Sequence, residues 1–225
     1  MLESVLTIPF WVELAATLTG AISGAMHATK HEYDIFGVIC LACVCGLAGG
    51  IIRDVLLQDY GIYAFQRPEL IVVCCVVAIC VFPFCKFFDK FDLPMDVLDA
   101  ISVALWAIVG ADKGFEAGYT VIPAAILGTI TAVGGGCLRD ILLARQPKIF
   151  LSGTLYALAS LIGAFVFLLL RNFNIAYDLA PIIGILVVLV LRCVSIFFHV
   201  ETRPARDYTD DVAAFISRVK ERRQR

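Results

Sequence analysis

Two short stretches of this chain carry charge where charge is least expected. Gly49-Gly50-Ile51-Ile52-Arg53-Asp54-Val55-Leu56-Leu57 returns 86 residues later as Gly135-Gly136-Cys137-Leu138-Arg139-Asp140-Ile141-Leu142-Leu143, with six of nine positions identical. Each copy sets an arginine and an aspartate within one turn of a glycine run, inside an apolar stretch. A charged residue at the centre of a membrane helix costs at least ~2.5–3.5 kcal/mol, so such residues normally face a pore or pair with one another. Adjacent glycines favour a kink or break and also permit close backbone approach. Two readings follow. In one, Arg53, Asp54, Arg139 and Asp140 line a solute or ion pathway bent at Gly49, Gly50, Gly134, Gly135 and Gly136. In the other, the glycines serve helix packing and the charges form caps or structural salt bridges.

Other chemistry is poorly represented. The serines lack a His–carboxylate set, so no catalytic residues are assigned and the chain is read as a non-enzyme without a cofactor. His27 and His31 share a helix face but have no evident third ligand, which argues against a metal site. The nine cysteines lie mostly in apolar runs without metal-finger spacing and read as core packing. The second motif has a local likeness to the nucleotide-binding loop of tRNA nucleotidyltransferases. Its continuation, Ala144-Arg145-Gln146-Pro147-Lys148, lacks the paired aspartates needed for a two-metal clamp.

The elements that position these residues are membrane helices. The chain has 225 residues, 60% hydrophobic and 17% charged, with net charge −2; its mean hydropathy is +0.90. Soluble domains run near 45–50% apolar and about 25% charged. The charge balance provides no basic field for nucleic acid. Crossing a ~30 Å hydrocarbon core takes roughly 20 apolar residues. That ruler gives seven spans, near Pro9–Ala28, Ile35–Leu57, Glu69–Phe88, Val97–Ala111, Thr120–Leu143, Leu151–Leu170 and Ile175–Phe198. The first reads as a retained helix and not as a signal peptide. Residues 201–225 form a charged tail in which Val212, Phe215, Ile216 and Val219 have helical spacing. The tail is either a short amphipathic helix on the membrane or a plain solvated terminus.

Lys30, Lys86, Lys90, Arg145, Lys148 and the basic tail fall on one side, and Arg67, Lys113 and Arg171 on the other. The C-terminus is therefore expected in the cytoplasm and the N-terminus outside. The 86-residue offset also aligns Glu13 with Asp99, Gly24 with Gly110, Tyr33 with Tyr119 and Leu41 with Leu127. Three spans per copy make the second copy start on the opposite side of the membrane, an inverted repeat. The expected division is 1–92 (first repeat), 93–172 (second, inverted repeat), 173–200 (seventh span) and 201–225 (cytoplasmic tail). The fold class is all-α integral membrane, with two inverted three-helix repeats and a C-terminal helix.

This topology puts Glu13 and Arg53 near one surface and Asp99 and Arg139 near the other, so each acid is expected to pair with the arginine beside it. Neighbours on a helix point about 100° apart, so Arg53 and Asp54 are not expected to neutralise each other, and Asp54 and Asp140 should have other partners. Lys113 is read either at a helix break by the pore mouth or as a snorkelling lysine. Arg192 is read as snorkelling from the end of the last span.

The doubled Gly-Gly-x-x-Arg-Asp motif, each copy within a three-helix repeat, resembles the prokaryotic branch of the trimeric intracellular cation channels, also catalogued under a glycine-transporter-type domain name. The resemblance covers about residues 9–199. It implies a homotrimer in an inner membrane, with lipids around it and a pore inside each subunit. It implies passive conduction of monovalent cations, chiefly potassium. It implies pore bends at Gly49, Gly50, Gly134, Gly135 and Gly136, and polar pore residues Arg53, Asp54, Arg139 and Asp140, with Lys113 a further candidate. The first motif begins Ala48-Gly49-Gly50 where the second has three glycines, so the two bends need not match in depth. Glu13, Asp54, Asp99 and Asp140 outnumber Arg53 and Arg139, which fits a lumen that attracts cations. A carrier of a small solute such as glycine is the competing reading, because helix ends meeting near the midplane can bind a carboxylate.

Overall fold

The computed structural model describes residues 8–84, 92–151, 155–175 and 178–198. The charged tail at 201–225 and Cys85 lie outside them. The described residues are helical, in the order α1 (Phe10–Lys30), α2 (Ile35–Leu57), the single turn α3 (Tyr63–Gln66), α4 (Pro68–Val81), α5 (Asp92–Glu116), α6 (Val121–Leu142), α7 (Tyr156–Asn172) and α8 (Ala180–Phe198). Short 3-10 turns follow at Phe82–Phe84 and Lys148–Phe150.

Local chemistry sets the ends. Asp34 caps α2, its Oδ1 accepting from Gly37 N at 2.8 Å. Pro68 opens α4, where its missing N–H costs nothing. Gln58 and Ala144 adopt left-handed backbone just beyond α2 and α6.

Among the described residues, four helices are long and apolar enough to cross a membrane: α2, α5 from Leu93, α6 and α8. Pro68–Phe84 and Tyr156–Asn172 are shorter apolar helices. The first expected span, α1, is not among them, because its buried face is small and partly polar: Ala16, Thr17, Gly20, Ala21, Ser23 and Gly24. It packs against α2, α4 and α5, so it meets protein and needs little lipid-facing surface. The outward faces are apolar, for example Val72, Val76 and Ile79 on α4 and Ile182, Leu186 and Val190 on α8. The molecule is an integral membrane protein.

Two expectations change here. The fourth span is longer than Val97–Ala111, since α5 runs from Asp92 to Glu116. Lys113 therefore sits within the last turn and not at a break. Of the described cysteines, Cys45 and Cys74 are buried, Cys40 and Cys80 are exposed, and Cys43, Cys75, Cys137 and Cys193 are half-buried. A thiol is apolar enough to face lipid, so the outward positions cost little.

Helical structure also continues unbroken through both glycine runs, against the expected interruption. What the glycines provide is proximity. A Cβ on Gly135 would lie 2.7 Å from the Cys45 carbonyl oxygen, and one on Gly49 would collide with the Thr131 carbonyl. Gly134 approaches the Gly49 Cα. Position 45 meets 135 and position 49 meets 131, so α2 and α6 cross antiparallel with their backbones touching. The two contacts are themselves related by the 86-residue offset. Small residues let the helices close to this distance, which is where van der Waals packing in lipid gains its strength.

Candidate functional site

Because α2 and α6 run antiparallel, the arginines near their C-terminal ends lie at opposite ends of the crossing. Each arginine is 1% exposed and heads a buried charge cluster.

In the first cluster, Arg53 folds back onto its neighbour. Nε and Nη2 donate to Asp54 Oδ1 at 2.8 and 2.7 Å. Tyr60 donates its hydroxyl to the same oxygen at 3.0 Å, and Tyr63 N donates to Oδ2 at 2.8 Å. The guanidinium lies 5.8 Å from the Trp106 ring. Burial pushes the Tyr60 phenol well above its ordinary range, so it remains a neutral donor. Lys113 holds its ammonium 5.6 and 5.4 Å from the Tyr60 and Tyr63 rings, within cation–π range. Glu13 is 3% exposed, and its Oε2, like Arg53 Nη1, has no hydrogen-bond partner among the described residues.

In the second cluster, Arg139 bridges two helices. Nε donates to Asp140 Oδ1 at 2.9 Å and Nη1 donates to Asp99 Oδ1 at 2.9 Å. Ser23 Oγ stands 3.5 Å from the same Nη1. Asp140 Oδ2 accepts from Lys148 N at 3.0 Å, and Lys148 Nζ pairs with Asp96 at 2.7 Å. Arg192 reaches in from α8, with Nη2 3.4 Å from Asp99 Oδ2 and the guanidinium carbon 4.3 Å from the Tyr156 ring. A cavity lined by His27, Lys30, Asp96, Asp140, Arg145 and Lys148 opens beside this cluster.

The expected Asp99–Arg139 pair is present. The expected Glu13–Arg53 pair is not formed, because the guanidinium is committed to Asp54. Neighbour pairing, thought excluded by the 100° offset, occurs in both motifs. That offset separates Cβ directions, but three methylenes and a planar fork let arginine curl over the next residue. The two aspartates do have additional partners, and these too are equivalent. Each accepts the backbone N–H that begins the next helical turn, Tyr63 after Asp54 and Lys148 after Asp140.

Arg192 does not snorkel. It is 2% exposed and shares Asp99 with Arg139. The sequence held the signal for this. Ala180, Gly184, Val188, Arg192 and Ser195 fall on one helical face, the face with small residues, and small residues mark helix contacts in membranes.

The family described as "Glycine transporter" matches residues 10–86 and 96–172. The "UPF0126 inner membrane protein YadS" of Escherichia coli (strain K12) is 35% identical over 160 residues, 70% of this chain and 76% of the relative. A "UPF0126 membrane protein" of Deinococcus radiodurans is 30% identical over 155 residues, 68% of this chain and 72% of the relative. Among solved structures, one described as "Structural basis for conductance through TRIC cation channels" superposes with TM-score 0.80 at 30% identity, covering 89% of this chain and 98% of that one. The TRIC orthologue from Rhodobacter sphaeroides also reaches 0.80, at 28% identity, covering 86% of this chain and all of its own.

Proposed function

The chain belongs to the glycine-transporter-type family of UPF0126 membrane proteins and prokaryotic TRIC channels, and on that premise we propose that it is a passive, potassium-preferring channel for monovalent cations. The pathway runs within each subunit, past the α2–α6 crossing. Glu13, Arg53, Asp54 and Lys113 belong to one mouth, and Asp99, Arg139 and Asp140 to the other. Gly49, Gly50, Gly134, Gly135 and Gly136 set the width between them through close packing. The functional unit is a homotrimer in lipid, like the trimeric relatives named for that assembly.

The observation that carries this reading is the pair of buried charge clusters at opposite ends of one antiparallel crossing. A buried, incompletely paired charge is costly in a membrane and marks a path for charge. The crossing contacts 45–135 and 49–131 exchange under the 86-residue offset, which supports two inverted repeats over 1–92 and 93–172, with 173–200 as the seventh span. Two separate family matches support the same division. Lysine and arginine asymmetry supports an outer N-terminus, and so a cytoplasmic second cluster and tail.

The carrier reading relied on interrupted helices whose ends hold a carboxylate. Both α2 and α6 run continuously through their glycines, and nothing in the described residues favours that mechanism. The test is single-channel recording of the purified protein in a planar bilayer under a potassium chloride gradient. Discrete openings that reverse near the potassium potential are expected, lost in Gly135→Leu. A silent bilayer with folded protein, together with saturable glycine uptake into liposomes, would establish the carrier.

A further inference from the structure

The last described helix supplies a charge that the first cluster has no equivalent for. Glu13 and Asp99 stand at equivalent positions of the repeat. Asp99 has two arginines on it, Arg139 on Oδ1 at 2.9 Å and Arg192 on Oδ2 at 3.4 Å. The first bond has the length of a charge-assisted hydrogen bond; the second is longer than that range. Among the described residues, Arg192 Nε and Nη1 have no hydrogen-bond partner. A buried arginine is normally saturated, since unpaired buried charge is expensive. Arg192 is thus held by one loose ion contact and by the face of Tyr156.

The surroundings give that arrangement a use. A cavity of about 10 Å³ lies among Gly20, Ser23, Asp99, Ser102, Gly136 and Tyr156, room for about one water molecule. Asp99 Oδ2 is the carboxylate oxygen that the Arg139 bond leaves over. A monovalent cation passing this point would coordinate that oxygen.

We propose that Arg192 is a tethered counter-cation, a selectivity-determining residue that occupies Asp99 Oδ2 and sets the balance of cations over anions in the pathway. This rests on the channel reading above. With its charge in place, Asp99 is largely neutralised and the unbonded N–H groups of Arg192 favour anions. Without that charge, Oδ2 is free and the local field turns negative. Arg139 is the structural partner and Arg192 the adjustable one.

The experiment compares the purified full chain with Arg192→Gln and Arg192→Lys in planar bilayers under a potassium chloride gradient. The expected result is a several-fold rise in the potassium-to-chloride permeability ratio for Arg192→Gln, and a wild-type ratio for Arg192→Lys. A structural role alone would alter folding or open time and leave that ratio fixed. Arg192→His serves if Arg192→Gln does not fold: its ratio should fall as pH drops through about 6.5 and the imidazole gains charge, while the wild-type ratio stays flat. A conducting Arg192→Gln channel whose ratio matches wild type, or an Arg192→His ratio insensitive to pH, overturns the proposal and leaves the channel reading standing. A silent wild-type bilayer overturns both.

Discussion

Arg53 and Arg139 occupy equivalent places in two copies of one motif, yet they end in different company. Arg139 reaches across to Asp99 on α5 as well as back to Asp140, and Arg192 closes on Asp99 from a third helix. Arg53 turns only to Asp54, with Trp106 under its plane and Glu13 unbonded nearby. The second cluster therefore ties helices together, while the first ties a helix end to its own following loop. The same residues became a clamp in one setting and a local latch in the other. The difference lies in what packs against them: among the described residues, α8 has no counterpart beside the first cluster.

The largest test of that contrast is arginine removal. Arg139→Ala leaves buried Asp99 with only its loose Arg192 contact and buried Asp140 with only the Lys148 N–H among the described residues, and should cost ~3–5 kcal/mol. Arg53→Ala should cost clearly less, since Asp54 keeps Tyr60 and the Tyr63 N–H. Denaturant unfolding in detergent micelles measures both; equal losses would erase the distinction between clamp and latch. Next come the crossing glycines. Gly49→Ala and Gly135→Ala each push a methyl onto a backbone carbonyl and should each cost ~1–3 kcal/mol. Unequal losses would show that the offset-related contacts are not energetically alike.

Smaller effects separate the clusters more finely. Tyr60→Phe removes one hydrogen bond from Asp54 and should cost about 1 kcal/mol, with Arg53→Ala plus Tyr60→Phe exceeding the sum because both partners serve the same oxygen. A strictly additive double mutant would mean that Asp54 does not couple them. Glu13→Gln should change stability by less than about 1 kcal/mol, because the carboxylate oxygen lost has no partner. A large loss there would reveal a hidden Glu13–Arg53 bond and make the two clusters alike.

Much of this is legible in the sequence. The repeat offset identified Asp99 as the equivalent of Glu13 and placed it beside Arg139, because a three-span repeat fixes which ends share a surface. The antiparallel α2–α6 contact follows the same offset. What sequence did not reveal was side-chain direction. Arg53 had two acids within reach, and the choice between them depends on Tyr60 and Tyr63, which a loop brings back over Asp54. Glycine runs were read as breaks because glycine weakens a helix in isolation. Here the touching partner helix holds the backbone regular, and the absent side chains are used for contact. Arg192 was misread because its distance from the helix end was weighed, and the Ala180–Gly184–Val188 face it shares was not.

The aspartate of each motif holds the first N–H of the next helical turn, nine residues on from Asp54 and eight from Asp140. A bracket of this kind separates the intervening loop from the helix it leaves. Chain can be added or lost beyond the anchor, as between Tyr63 and Pro68, without shifting the arginine or the crossing. After Asp54 the next proline comes 14 residues later, and after Asp140 only 7. Two halves of a duplicated ancestor could thus drift apart in their surface loops while their interior registers stayed locked.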